Sequence, residues 1–134
     1  MKPPAPGPLD KTLPAPDPAQ VQVIRTYGPG RFLISHREWS EPVLVMPTVT
    51  APWAVSRAED LSLDSLAALM AAAVPTELLV LGCGARAIFV PPALRSELKA
   101  AGLALEVVDT GSACRIYNVL LAEGRRVAAA LIPL

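Results

Sequence analysis

Three short apolar runs, separated by segments with helical periodicity, constrain the fold of this chain more than any other feature. They cover residues 78–81, 103–108 and 127–132. Strands that are apolar throughout are typical of parallel sheets covered by helices, and strands joined through helices run parallel with right-handed crossovers. The sequence therefore predicts an α/β fold whose C-terminal half is a parallel βαβαβ unit.

The connecting segments carry the expected helix signals. In the first, Leu94 and Leu98 lie four positions apart on one face, and Gly102 supplies a C-terminal stop. The second helix is predicted from about residue 112 to residue 122. A further helix is predicted over residues 63–73, where apolar side chains recur with a period near 3.6.

The N-terminal half has the period of two that is typical of β-strands. Strand runs are predicted at residues 20–27, 31–39, 43–46 and 51–55, with turn residues between the first two. These runs predict an N-terminal β meander added to the parallel unit, so that residues 20–134 form a single α/β domain.

The first part of the chain differs from this domain in its high proline content. Seven of the fifteen prolines fall within the first eighteen residues. Prolines cannot donate to a β ladder, and almost nothing in this stretch could bury apolar surface. We expect residues 1–19 to be a Pro-rich disordered leader. A loose P-x-x-P match at residues 3–6 leaves a role as a peptide ligand open.

Charge and cysteine content exclude several classes of protein. Twelve acidic residues balance twelve basic ones, which argues against a nucleic-acid partner bound through a basic face. Cys83, Cys114 and the single histidine, His36, are too few for structural zinc, so no metal or cofactor is expected. The apolar runs are shorter than the roughly 18 residues of a membrane span. A cytoplasmic protein with reduced cysteines is expected.

Two glycine-containing turns follow the first two predicted parallel strands. In open α/β sheets, ligands gather in the crevice outside the C-terminal ends of the strands. Glycine turns, amides at a helix N-terminus and an arginine are components of a site for an anion or carboxylate. The candidate ligand-binding residues are Gly82, Cys83, Gly84, Arg86, Thr110, Gly111, Ser112, Arg115 and Asn118.

The same residues also have a purely structural interpretation. The glycines permit tight turns, Asp109 or Thr110 caps the following helix, and Arg115 pairs with a nearby carboxylate. Both interpretations remain open at the level of sequence.

No catalytic residue is assigned. Residues 109–112 read D-T-G-S, the aspartic-protease signature, but they open a predicted helix and only 22 residues follow them. Cys83 has one possible imidazole partner, His36, which lies on a distant β segment.

The segments at residues 79–91, 107–120 and 125–131 resemble a known family. It is the small bacterial and archaeal domain family of unknown function that includes the mitochondrial complex I assembly factor 3. Cys83 departs from the family, which more often has a small hydroxyl residue there, and Ile116 replaces a frequent threonine.

The resemblance implies a three-layer α/β fold and, for mitochondrial relatives, non-catalytic help in assembling NADH dehydrogenase. We therefore expect a non-enzymatic binding or assembly protein whose partner is a respiratory-complex subunit or assembly protein. The alternative is a small-molecule or anion-binding protein, or an enzyme, that uses the predicted crevice.

Overall fold

Two β-sheets and three helices make up the structure, a computed structural model that describes residues 21–134. The predicted leader at residues 1–19 lies outside these residues. The strands are β1 Ile24–Gly28, β2 Arg31–Ile34, β3 Arg37–Trp39, β4 Val43–Val45, β5 Thr50–Pro52, β6 Leu78–Gly82, β7 Ala104–Val108 and β8 Val127–Leu131. The helices are α1 Ala67–Met70, α2 Pro92–Ala100 and α3 Thr110–Ala122, and two 3-10 helices cover Ala58–Asp60 and Asp64–Leu66.

The C-terminal half confirms the predicted parallel βαβαβ unit. Strand β6 lies between β7 and β8 and pairs with both in parallel, with Val80 opposite Glu106 on one side and Ala129 on the other. Leu79, Val80 and Leu81 are fully buried. The apolar run at residues 78–81 is thus the middle strand of the three parallel strands.

Helices α2 and α3 cover opposite faces of this sheet. Successive side chains of a strand point to opposite faces. Leu79 packs in one core cluster with Leu98 of α2, whereas Val80 packs in a second cluster with Tyr117 of α3. The fold therefore has three layers, with the five-stranded sheet in the middle.

The N-terminal β section divides between two sheets. Strands β4 and β5 extend the central sheet, where β4 pairs antiparallel with β8 to give the order β5-β4-β8-β6-β7. Strands β1, β2 and β3 form a separate antiparallel sheet whose Phe32 and Ile34 pack in the same cluster as α3. The run predicted at residues 31–39 is two strands, β2 and β3, which pair with each other across a tight turn at Ser35 and His36.

The helix predicted over residues 63–73 is much shorter in the structure. Only α1 is α-helical there, and it follows the second 3-10 helix. The hydroxyl of Ser62 accepts a hydrogen bond from the Ser65 backbone N–H, and the hydroxyl of Ser65 donates to the Ser62 carbonyl. The Ser62 N–H in turn donates to the Ser65 hydroxyl, so these reciprocal bonds cap the first turn. Leu66 then has φ −104° and ψ 21°, which departs from α-helical values and separates the 3-10 turn from α1. The indole of Trp53 also donates to the Ser65 carbonyl within this 3-10 turn.

Gly82 provides a test of how closely the layers approach at the end of β6. A Cβ atom there would lie 2.9 Å from Leu131 Cδ2 and 3.0 Å from the backbone Cα of Thr110. Side-chain rotation does not relieve a collision with backbone. We expect Gly82→Ala to lower the free energy of unfolding by about 1–3 kcal/mol, measured by chemical denaturation.

Gly28→Ala is the matched control for that measurement. A Cβ atom at Gly28 would meet nothing closer than Arg31 Nε at 3.7 Å. Its effect should stay within about 0.5 kcal/mol. Equal losses in the two variants would contradict the close approach at Gly82.

Candidate functional site

The buried hydroxyl of Thr110 joins three chain segments at the C-terminal ends of the parallel strands. Its Oγ1 accepts a hydrogen bond from the Gly84 N–H at 2.7 Å and donates to the Ile132 carbonyl at 2.6 Å. Thr110 is the first residue of α3 and is fully buried. One side chain thus links the turn after β6, the segment after β8 and the start of α3.

Backbone hydrogen bonds reinforce the same junction. The Cys83 N–H donates to the Val108 carbonyl, and the Thr110 N–H donates to the Gly84 carbonyl, each at 2.9 Å. The Ile132 N–H donates to the Gly82 carbonyl, also at 2.9 Å. The ends of β6, β7 and β8 meet here, and these polar groups bond one another. We call Gly82, Cys83, Gly84, Thr110 and Gly111 the strand-end cluster.

Asp109 occupies the positive end of the α3 dipole. It is the N-cap of α3, and its Oδ2 accepts from the Ser112 N–H at 3.0 Å. Its Oδ1 accepts from the Ser112 hydroxyl at 2.7 Å. These hydrogen bonds, together with the nearby charge of Arg115, lower the pKa of Asp109. The helix end already holds a carboxylate of the protein's own.

Arg115 extends this network toward β1. Its Nη1 donates to the Tyr27 hydroxyl at 2.7 Å and its Nη2 donates to the Ser112 hydroxyl at 3.3 Å. No ion pair among residues 21–134 includes Arg115. The guanidinium is exposed. Its hydrogen-bond partners are hydroxyl groups, whereas the structural interpretation of the sequence expected a carboxylate.

Asn118 points away from the strand-end cluster and binds the backbone of β1. Its Oδ1 accepts from the Ile24 N–H at 3.0 Å, and its Nδ2 donates to the Ile24 carbonyl at 2.8 Å. Both functions of the amide therefore hold the small sheet against α3. Arg86 lies exposed in the loop between β6 and α2. A role of the nine candidate residues in ligand binding stays a prediction.

Tyr27 also borders the site, although the sequence analysis did not identify it. A Cβ atom at Gly111 would lie 3.0 Å from Tyr27 Oη and 3.3 Å from Tyr27 Cε1, so this ring covers the first turn of α3. Tyr27 lies in β1, more than eighty residues from Gly111. The one available signal was the glycine itself, since a missing side chain permits close approach.

The two cysteines are free thiols. Burial raises the pKa of Cys83, and burial raises the pKa of Cys114 to about 12. The thiolate is the nucleophilic form of cysteine. At neutral pH both residues are therefore held as thiols and are poorly suited to attack a substrate.

Residues 21–134 also bear on metal binding and membrane insertion. That part of the chain has no group of three or more His, Cys, Asp or Glu side chains placed to hold a metal ion. It also has no helix with the length and apolar character needed to cross a membrane.

Known proteins match nearly the whole described region. The model of the family described as "Protein of unknown function (DUF498/DUF598)" matches residues 24–132, which include the strand-end cluster. An uncharacterised protein of Rhodobacter capsulatus is 43% identical over 111 residues, which are 83% of this chain and 84% of that protein. A crystal structure of a protein from Bordetella parapertussis is similar, with a TM-score of 0.77 and 34% sequence identity. The match covers 85% of this chain and 97% of the Bordetella chain.

A further relative carries a functional name. NADH dehydrogenase (ubiquinone) 1 alpha subcomplex assembly factor 3 of Danio rerio is 40% identical over 111 residues, 83% of this chain. The match covers 64% of that protein, so the chain corresponds to less than two thirds of its length.

Thr110→Val tests the junction while preserving side-chain volume. The variant leaves the Gly84 N–H and the Ile132 carbonyl without their hydroxyl partner. We expect the free energy of unfolding to fall by about 2–3 kcal/mol. Thr110→Ser keeps the hydroxyl and loses a methyl group, so it should cost only about 1 kcal/mol. If valine is tolerated as well as serine in denaturation experiments, the hydroxyl does not hold the junction.

Asp109→Asn tests the helix cap through pH. A lowered folded-state pKa means that the carboxylate stabilises the fold above its unfolded-state value, near 3.8, and that this contribution is lost as pH falls through the folded-state value. We expect the variant to be less stable than the original protein at neutral pH and the difference to vanish on acidification. Thermal melts from neutral pH downward measure this.

Asp64→Asn is the control, because Asp64 is exposed and forms no ion pair among residues 21–134. It should change the neutral-pH stability little. A difference for Asp109→Asn that persists unchanged to the lowest pH would contradict the charged cap.

Proposed function

The chain belongs to the DUF498/DUF598 family, and from this membership we propose that it is a non-enzymatic binding protein that assists the assembly of a respiratory complex. Its partner would be a subunit of NADH dehydrogenase or another assembly protein of that complex. The observation that carries the proposal is the 40% identity to the Danio rerio assembly factor over 83% of this chain.

The state of the strand-end cluster supports a non-enzymatic role. In other α/β proteins this end of the sheet presents open backbone amides and side chains to a ligand. Here Thr110, Asp109 and the neighbouring backbone groups are occupied with one another. A substrate anion at the start of α3 would have to displace the carboxylate of Asp109. Because these groups are occupied, we expect a partner protein to bind at another part of the surface.

Phe89 is the surface residue we propose as a contact for the partner. It is 80% exposed in the loop between β6 and α2. That loop is fixed on both sides, because Gly84 is bound to Thr110 and Val90 is buried against the core below α2. A large aromatic side chain on a well-anchored loop loses little conformational freedom on binding. The matching partner surface would be an apolar pocket that accepts a phenyl ring.

A cytoplasmic location belongs to the same proposal. Cys83 and Cys114 are unpaired, as expected for a protein in a reducing compartment. Fractionation of native cells followed by immunoblotting checks this location.

Affinity capture from the native host tests both the function and the surface. The tagged full-length chain should recover NADH dehydrogenase subunits or assembly proteins, identified by mass spectrometry. Phe89→Ser should reduce that recovery roughly tenfold or more, as expected for an aromatic residue at the centre of an interface. Val119→Ser is the control, because Val119 is 56% exposed on α3, and recovery should be unchanged.

The outcomes separate two failures. If the original chain recovers no protein of that complex, the proposed function is wrong. If Phe89→Ser and Val119→Ser recover equal amounts, the partner binds elsewhere and the assignment of Phe89 is wrong.

A further inference from the structure

We propose that a depression between the turn joining β2 to β3 and the turn joining β4 to β5 binds a small oxyanion, either a carboxylate or a phosphate group. The depression has a volume of about 350 Å³. None of the nine candidate residues from the sequence lines it, and it does not involve the loop that carries Phe89. The inference is thus independent of the proposed function.

The side chains that line the depression are rich in hydrogen-bond donors. No aspartate or glutamate is among the lining residues. An ionised oxyanion accepts several hydrogen bonds and donates none, so it is the ligand class that such a surface complements. The donors are Ser35, His36, Arg37 and Thr48, whereas the Thr50 hydroxyl donates to Gln22 Oε1 at 2.7 Å.

Arg37 is the cation of this site, and an aromatic ring positions it. Its guanidinium carbon lies 3.9 Å from the centroid of the Trp39 ring, and Trp39 itself is buried. A cation–π contact of this kind restrains the guanidinium. Arg37 forms no ion pair among residues 21–134, so its charge is not neutralised by an acidic neighbour there. A restrained arginine without a carboxylate is suited to bind an oxyanion through paired N–H groups.

The backbone at Ser35 is held in an unfavourable conformation at the same place. Ser35 has a φ of 54°, the only positive φ of a non-glycine residue among residues 21–134. Its N–H donates to the Val23 carbonyl at 2.8 Å, which anchors the turn to the segment before β1. Glycine would relieve this conformation, whereas serine retains a hydroxyl at the depression. A strained backbone conformation at Ser35, beside a depression rich in hydrogen-bond donors, favours a ligand-binding role for this depression.

NMR titration of the full-length protein tests the site. The probes are inorganic phosphate and acetate, each added at constant ionic strength against chloride. At least one probe should cause saturating shifts in the backbone amides of Ser35, His36, Thr48 and Thr50. Arg37→Gln should weaken that binding about tenfold or more.

Arg95→Gln is the matched control, because Arg95 lies on α2, which packs against the opposite edge strand β7. Its affinity for the probe should match that of the original protein. Saturation by phosphate alone or by acetate alone identifies which group the site takes. The proposal is overturned if neither probe saturates these amides, or if Arg37→Gln and Arg95→Gln bind the probe equally well.

Discussion

One buried hydroxyl holds together the end of the sheet on which the rest of the fold is arranged. Thr110 Oγ1 uses both of its hydrogen-bonding functions, accepting from Gly84 and donating to Ile132. These partners follow the two strands that pair directly with each other at the centre of the sheet, β6 and β8. Buried backbone groups without partners are costly, and the turns at these strand ends have no ladder to continue into. Thr110 supplies the partners that the ladder cannot.

Because of this arrangement, the C-terminal end of the parallel strands does not form the open ligand crevice that is common in α/β sheets. The connections after β6 and β7 lead to helices on opposite faces, which in open α/β sheets is where a ligand crevice forms. Here the space is occupied by the protein itself, with Tyr27 over Gly111 and the Asp109 carboxylate at the helix end. Two other features remain open to a partner or ligand. Phe89 is exposed on the loop that follows β6, and the depression lined by Arg37 borders the small sheet.

The sequence predicted those parts of the fold that depend on local pattern. The parallel unit followed from apolar runs such as residues 78–81, and capping by Asp109 was one of the two options stated for α3. The length of the helix near residue 65 was overestimated, because the periodicity of leucines does not reveal that the backbone at Leu66 departs from α-helical angles.

The candidate site was predicted only in part, for a physical reason. Parallel strand ends meet by topology, so the proximity of Gly84 and Thr110 could be expected from the chain order. Asn118 shares a helix with Arg115, yet its amide binds Ile24, which is 94 residues away in the sequence. Packing between a strand and a helix so far apart leaves no periodic pattern in either segment, and the covering of Gly111 by Tyr27 is of the same kind.

Amide hydrogen exchange measured residue by residue tests most directly whether the strand ends form a closed structural junction. The Gly84 N–H bonds to Thr110, and the Ile132 N–H bonds to Gly82. If the junction opens only when the whole protein unfolds, both amides should be protected as strongly as that of Val80 in strand β6. Exchange of Gly84 and Ile132 at the rate of an exposed loop amide such as Ala87, with Val80 still protected, would contradict the closed junction.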